Sequence, residues 1–393
     1  MLDSNWYNQL GLGDIHDKVE SVERLSLDDG ERLFACPDVL AVGALAHKVR
    51  TRLHGNVTYY VMNQHINYSN VCVNGCRFCA FGREAGDPLA FQLSLSDILE
   101  KVRARLGDPI TEIHIVGGCH PELPLSYYED VIRQVKAIRP DIFIKAFTGV
   151  EIAHFARHEG LSTLDVLHRL RSAGLNMLPG GGAEVFSPRI RELLCPTKLD
   201  GEGWLRVARE AHESGIKTNA TMLYGHLETV RERLEHLDAL RRLQDETGGF
   251  VCFIPLPFQP RNTKVEGARQ TTGVEDLKTI AISRLMLDNF DHIKAYWIML
   301  TVKLAQTALY FGADDFDGTV IEEKIGHMAG AESDQALTRS ELERIIREGG
   351  FEPVERNCFF QPMRAGERSG RALGESGAGS GFSAPSDDRS SAL

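Results

Sequence analysis

Three cysteines, Cys72, Cys76 and Cys79, stand at a C-x3-C-x2-C spacing inside Asn63-Gln-His-Ile-Asn67-Tyr-Ser-Asn-Val-Cys72-Val-Asn-Gly-Cys76-Arg-Phe78-Cys79-Ala-Phe81-Gly-Arg83. Three thiols this close together point to a metal centre. Structural zinc takes a closed set of four protein ligands, and iron-sulfur ferredoxins also bring four cysteines. No fourth cysteine follows at a matching distance. A cluster held by three thiolates keeps one iron open to a small molecule, which suits a centre that does chemistry better than one that relays electrons. A zinc loop completed by His65 or His120, or an iron-sulfur electron carrier, is the alternative.

The elements that must position this loop follow from periodicity. Strand-like runs are expected at residues 57–62, 110–116, 142–147, 175–178, 217–223, 250–256 and 293–298, with a weaker one at 305–311. Amphipathic stripes lie between them: Leu95, Ile98, Leu99, Val102 and Leu106 with Ser96 as cap; Val131, Ile132, Val135 and Ile138; Val230, Leu234, Leu237, Leu240 and Leu243. Regular alternation of strand and helix means a parallel sheet, and eight units predict an α/β barrel; an open doubly wound sheet is the other arrangement.

A helical extension is expected over residues 1–55, with Ser26 as a cap, followed by the barrel over 56–312. A C-terminal extension over 313–364 packs on the barrel, and Thr338-Arg-Ser-Glu341 is a capping-box pattern opening its helix. The tail over 365–393 is Gly, Ser, Ala and Arg with almost no bulky apolar residue, a composition that predicts disorder.

Chemistry in parallel βα architectures sits at the C-terminal strand ends. There the sequence places Gly117-Gly118-Cys119-His120, Pro179-Gly-Gly-Gly-Ala-Glu184, the run from Asn219 through Thr221, Leu223, Gly225 and His226 to Glu228, and Pro257-Phe-Gln259-Pro-Arg261-Asn262. Glycines let a ligand approach the backbone, and a carboxylate such as Glu184 accepts hydrogen bonds from vicinal hydroxyls. Tight turns and an acidic helix cap explain the same residues without a ligand. His120, Gln259, Arg261 and Asn262 are the candidate donors to a carboxylate-bearing substrate, and His65, His226 and Glu228 the candidates for a catalytic role.

The pattern C-x3-C-x-Phe-C, here Cys72, Cys76, Phe78 and Cys79, resembles the signature of the radical S-adenosylmethionine (SAM) enzymes. The resemblance implies a (β/α)8-type parallel barrel, a [4Fe-4S] cluster on the three cysteines and SAM as co-substrate. It also implies that Phe78, Gly117 and Gly118, Glu184, and Thr221, Leu223 and Gly225 contact SAM. Asn-x-Cys-x3-Cys-x-Phe-Cys-Ala-Phe, Gly-Gly-Gly-Ala-Glu and the run from Leu240 to Phe250 resemble the radical SAM enzymes of the futalosine route to menaquinone and their deazaflavin-synthase relatives. Within that branch the wording is most similar to the aminofutalosine synthases. The implied reaction adds a 5'-deoxyadenosyl radical to 3-[(1-carboxyvinyl)oxy]benzoate, with loss of carbon dioxide. The dehypoxanthine futalosine cyclases, which abstract hydrogen, share so much of this wording that they stand as the second reading. A one-electron donor such as flavodoxin or ferredoxin is the implied partner.

Composition bounds the rest. A net charge of -11 without a basic block argues against a nucleic-acid backbone as partner. Runs of 18 or more apolar residues are missing, so no membrane span is expected. The first residues lack the basic and apolar regions of a signal peptide, so a cytoplasmic enzyme with a small aromatic carboxylate substrate is expected.

Overall fold

The computed structural model describes residues 4–363. Its ten strands are β1 (Val57–Val61), β2 (Asn63–Asn67), β3 (Glu112–Val116), β4 (Phe143–Ala146), β5 (Met177–Leu178), β6 (Lys217–Tyr224), β7 (Phe250–Pro257), β8 (His292–Ile293), β9 (Asp315–Gly318) and β10 (Glu352–Glu355). Strands β2 to β8 pair in chain order into one parallel sheet. The remaining gap is bridged by the segment from Asp315 to Ile321. Lys294 pairs with Asp315 on one side and Gln64 with Ile321 on the other, and the His65 amide donates to the Ile321 carbonyl at 2.8 Å. The wall between β8 and β2 is therefore built from single bridges.

Side chains alternate along the strands as pleating requires. Ile66, Ile113, Ile115 and Ile144 face outward into an apolar core shared with helices Leu95–Arg103, Leu125–Ile138, Gly149–Glu159 and Thr163–Ala173. Their neighbours His65, His114 and Lys145 face the barrel interior. Each buried isoleucine contributes roughly 1.5–3 kcal/mol to holding strand on helix.

The N-terminal residues form helices Ser4–Gln9, Gly13–Ser21, Leu27–Ala35 and Val39–His54. Ser26 caps the third in a reciprocal capping box with Asp29, and Thr338 does the same with Glu341 for helix Arg339–Glu348. Arg50, fully buried, donates to Gly55 O at 2.6 Å, Val57 O at 2.5 Å and Thr58 Oγ1 at 2.8 Å, tying the fourth helix to β1. At the opposite end from the strand C-termini, Asp314 accepts from Arg284 at 2.5 Å and contacts His292 at 2.6 Å. His54 lies 3.5 Å from the same carboxylate. The guanidinium already neutralises this buried group, so the cluster is a structural ion network.

Four local expectations are corrected. Residues 305–311 are not a strand: Thr301 caps helix Val302–Ala308, whose Ala305 and Ala308 are buried at helical spacing, and a 3-10 turn, Leu309–Phe311, follows. Residues 293–298 keep only β8, because Trp297–Leu300 coils into a helical turn. The strand expected at 57–62 belongs to a separate three-stranded sheet, β10-β1-β9, and the first barrel strand is β2, inside the cysteine-bearing stretch. Ser94, not Ser96, caps helix Leu95–Arg103, through a capping box with Asp97. The tail expected to be disordered, 365–393, lies outside the described residues.

Candidate active site

The cysteine loop leaves the C-terminal end of β2 and is fastened from several sides. Cys72 N donates to Arg83 O at 2.9 Å, Val73 N to Cys119 O at 3.1 Å, Arg77 N to Leu194 O at 2.8 Å, and Lys264 N to Arg77 O at 2.8 Å. Gly82 N donates to Cys79 Sγ at 3.2 Å, the kind of bond that stabilises a thiolate. Arg83 caps the loop carbonyls of Ala80 and Gly82, each at 2.8 Å. These bonds give the loop a fixed shape drawn from residues distant in sequence.

Cys72, Cys76, Phe78 and Cys79 line one end of a cavity of ≈ 330 Å³ that runs into the barrel. That volume is in the range of small-molecule sites. Of the other residues singled out by sequence, Gly117, Gly118, Glu184, Thr221, Leu223, His65 and Gln259 line it too. A Cβ on Gly118 would stand 2.1 Å from Val71 O and 3.0 Å from Cys72 Cβ. The bare glycine thus lets the turn after β3 close onto the cysteine loop. Glu184, at a positive φ of 52°, accepts from Lys198 Nζ at 2.5 Å, and that ammonium lies 5.2 Å from the Phe78 ring. Glu184 does not cap the following helix, whose cap is Ser187. Thr221 Oγ1 donates to Gly180 O at 2.9 Å, and Gln259 Nε2 to Met299 O at 3.2 Å.

Six expected site residues lie off this cavity and are engaged elsewhere. His120 Nδ1 accepts from Glu122 N at 3.1 Å, and its carbonyl faces His154 Nε2 at 2.8 Å. Gly225, at φ 88°, packs against Thr271, 2.2 Å from where its Cβ would be. His226 Nε2 donates to Leu223 O at 3.0 Å. Glu228, with no exposed side-chain surface, accepts from Gly225 N at 2.5 Å, His226 N at 2.9 Å and Arg233 Nε at 2.6 Å, which makes it the hub of a turn. Arg261 pairs with Glu332 on the surface, and Asn262 Nδ2 donates to Met328 O at 3.1 Å. Neither histidine proposed to complete a zinc site joins the cysteines: His120 is buried off the cavity with its ring bonded to Glu122 N, and His65 packs against His114 in the barrel strands.

Sequence reasoning passed over several cavity residues. Lys145 pairs with Glu112 at 2.5 Å, and Lys294 with Asp317 at 2.5 Å and Asp315 at 3.5 Å. Glu151 accepts from Tyr68 at 2.8 Å, Gly117 N at 3.1 Å and Thr148 N at 2.7 Å; burial outweighs these bonds and pushes its carboxyl up to about 7. Glu323 meets His327 at 3.1 Å beneath helix Ile325–Ala329, which roofs the cavity. A lysine in the middle of an apolar strand, as in residues 142–147, is the signal that would have found Lys145.

The Radical SAM superfamily model matches residues 66–240, and the CofH/MqnC C-terminal region model matches residues 247–368. Aminodeoxyfutalosine synthase of Thermus thermophilus is 47% identical over 358 residues, covering 90% of this chain and 96% of that protein. The chain belongs to the aminodeoxyfutalosine synthase family of radical SAM enzymes. The Streptomyces coelicolor synthase is 43% identical, with 92% and 97% covered. In fold, this synthase-family chain is similar to the crystal structure of methylornithine synthase, at a TM-score of 0.70 and 19% identity, with 86% of this chain and 97% of that one covered.

Membership of the superfamily implies a [4Fe-4S] cluster and SAM. The donor set fits: soft thiol ligands from one pinned loop select iron-sulfur clusters or zinc, and three of them leave a coordination position for a small molecule. Among the described residues of this family member, no helix is long and apolar enough to cross a membrane.

Proposed function

We propose that the chain joins the adenosyl C5' of SAM to the vinyl carbon of 3-[(1-carboxyvinyl)oxy]benzoate. The S–C5' bond of SAM breaks and methionine leaves, the aryl group moves from oxygen to carbon and carbon dioxide departs, giving 6-amino-6-deoxyfutalosine for menaquinone biosynthesis. Cys72, Cys76 and Cys79 would hold a [4Fe-4S] cluster, which, reduced by a flavodoxin or ferredoxin, would supply the electron for SAM cleavage and recover it as carbon dioxide leaves. The reaction is redox-neutral overall, so the residues of the chain act by geometry and exclusion. Gly117, Gly118 and Glu184 stand beside the cysteines, where they would hold the methionine and ribose ends of SAM. Leu223, Ile254, Leu256 and Phe258 give the aryl ring an apolar wall, and Ile325 and Ala329 cover it from solvent.

The observation that carries this reading is a single cavity joining the cysteine loop to the barrel interior, in a chain 47% identical to a synthase over nearly its full length. The test is mass spectrometry of the products after anaerobic cluster reconstitution, with SAM, a one-electron reductant and the ether supplied together. Adenosyl carbon covalently joined to the aryl product is the expected result. Free 5'-deoxyadenosine that forms quickly only with dehypoxanthine futalosine would instead establish the cyclase, and an intact cluster without SAM cleavage would return the chain to electron transfer. Cys76→Ala is expected to lose iron and SAM cleavage while keeping its far-ultraviolet circular dichroism.

A further inference from the structure

His65, His114 and Lys145 share one rung of the barrel. His65 pairs with His114 between β2 and β3, and His114 with Lys145 between β3 and β4. All three side chains line the cavity, and the two imidazoles stand 4.5 Å apart between ring centroids. The geometry points to this rung as the subsite for the aryl carboxylate of the substrate, an inference that rests on the proposed function.

Donor capacity is the first support. The Lys145 ammonium carries three N–H donors, and its one ion partner among the described residues is Glu112. The His114 ring has no hydrogen-bond partner among them, and His65 has only Asn63 Nδ2, at 3.4 Å. Buried polar groups left open in this way are completed by a ligand or water. Burial holds both imidazoles below the ordinary histidine range, so each offers one N–H near neutral pH.

Charge is the second. Of the carboxylates that also line the cavity, Asp317 is paired with Lys294, Glu323 with His327 and Glu184 with Lys198, and Glu151 is occupied by the Tyr68 hydroxyl and the Gly117 and Thr148 amides. The rung is where donors remain in excess.

Position is the third and decides which carboxylate. His65 and His114 each lie two residues below the C-terminal ends of β2 and β3, about 7 Å beneath the rim that bears the cysteine loop at 3.3 Å per residue. The vinyl carbon must sit at that rim to meet C5'. The benzoate carboxylate, on the far side of the ring from the reacting bond, is the charged group that reaches down to the rung; the enolpyruvyl carboxylate stays near the rim.

The test is equilibrium binding to the cluster-loaded enzyme without reductant. Three ligands are compared: the full ether, 2-phenoxyacrylate, which lacks the aryl carboxylate, and 3-(vinyloxy)benzoate, which lacks the enolpyruvyl one. The variants are His114→Phe, which keeps a ring, and Lys145→Met paired with Glu112→Gln, which leaves no buried charge unpaired. The native enzyme is expected to prefer the full ether over 2-phenoxyacrylate at least tenfold, the yield of one charge-assisted hydrogen bond. Each variant should lose most of that preference while binding 2-phenoxyacrylate as the native enzyme does. Variants with native cluster absorbance that keep the preference, or that lose discrimination against 3-(vinyloxy)benzoate instead, overturn the subsite alone. A native enzyme that binds none of the three overturns the functional reading together with the subsite.

Discussion

Glu228 was a catalytic candidate from its place after a strand end, and its surroundings give it a different task that Glu228→Gln can separate. The carboxylate has no exposed side-chain surface. Burial pushes its pKa up, but the His226 ring, the Arg233 guanidinium and the Gly225 N–H outweigh burial and hold it at about 2, against an ordinary 4.5. A folded value below the unfolded one means a stabilising contribution that is complete above pH 4.5 and lost as pH falls through 2. The 2.5-unit difference (4.5 minus 2) corresponds to about 3 kcal/mol at 1.36 kcal/mol per unit. Removing one partner of a buried ion pair costs roughly 3–5 kcal/mol, so two independent routes agree. Glutamine keeps the shape and one acceptor but not the charge. The expected result at pH 7 is a urea midpoint lowered by about 1 M, for an m-value on the order of 3 kcal/mol/M. The gap between native and variant should close as pH falls toward 2. Because Glu228 lies off the cavity, the rate of SAM cleavage per loaded cluster should change little at temperatures where both proteins are folded. A variant as stable as the native protein that no longer cleaves SAM would refute this account and restore Glu228 as a catalytic residue.

Gly118→Ala is expected to lower the iron bound per chain after reconstitution, with far-ultraviolet circular dichroism unchanged. Its Cβ would stand 2.1 Å from Val71 O, and such overpacking against backbone costs about 1–3 kcal/mol, spent on displacing the cysteine loop. The His327 ring, bonded to Glu323, titrates at about 9, above its ordinary 6.5. Its contribution to holding helix Ile325–Ala329 is complete below pH 6.5 and lost as pH rises through 9, so amide exchange in that helix should accelerate over this interval beyond the intrinsic pH effect, and His327→Gln should abolish the excess.

The sequence was legible where local chemistry decides structure. The Ser26 and Thr338 caps and most of the helical stripes depend on residues a few positions apart, and the structure places these as expected, whereas Leu106, past the end of its helix, and Val230 are exposed. It was illegible where partners are remote. Strand β2 reads Asn-Gln-His-Ile-Asn, with no apolar alternation, yet all five residues are buried, because its inner face meets other polar side chains inside the barrel. The segment at 314–318 has three aspartates in five residues and no strand pattern, yet Asp314 and Asp315 are buried against Arg284 and Arg356 and the segment forms part of the closing wall. The alanines at 305 and 308 follow helix propensity, which a strand count needing an eighth member overrode. Lys145, Lys294 and Glu323 carried no motif, and only the fold brings them to one cavity.

The closing segment also sets an order of events during synthesis. Strand β1 lies between β9 and β10, and the last stretch of barrel wall is the run from Asp315 to Ile321. A nascent chain that has released the cysteine loop, and even all seven sheet strands, still has an open seam between β8 and β2, and it lacks Asp317 and the roofing helix. The complete pocket therefore requires the chain through Ala329, well over two hundred residues beyond the cysteine loop.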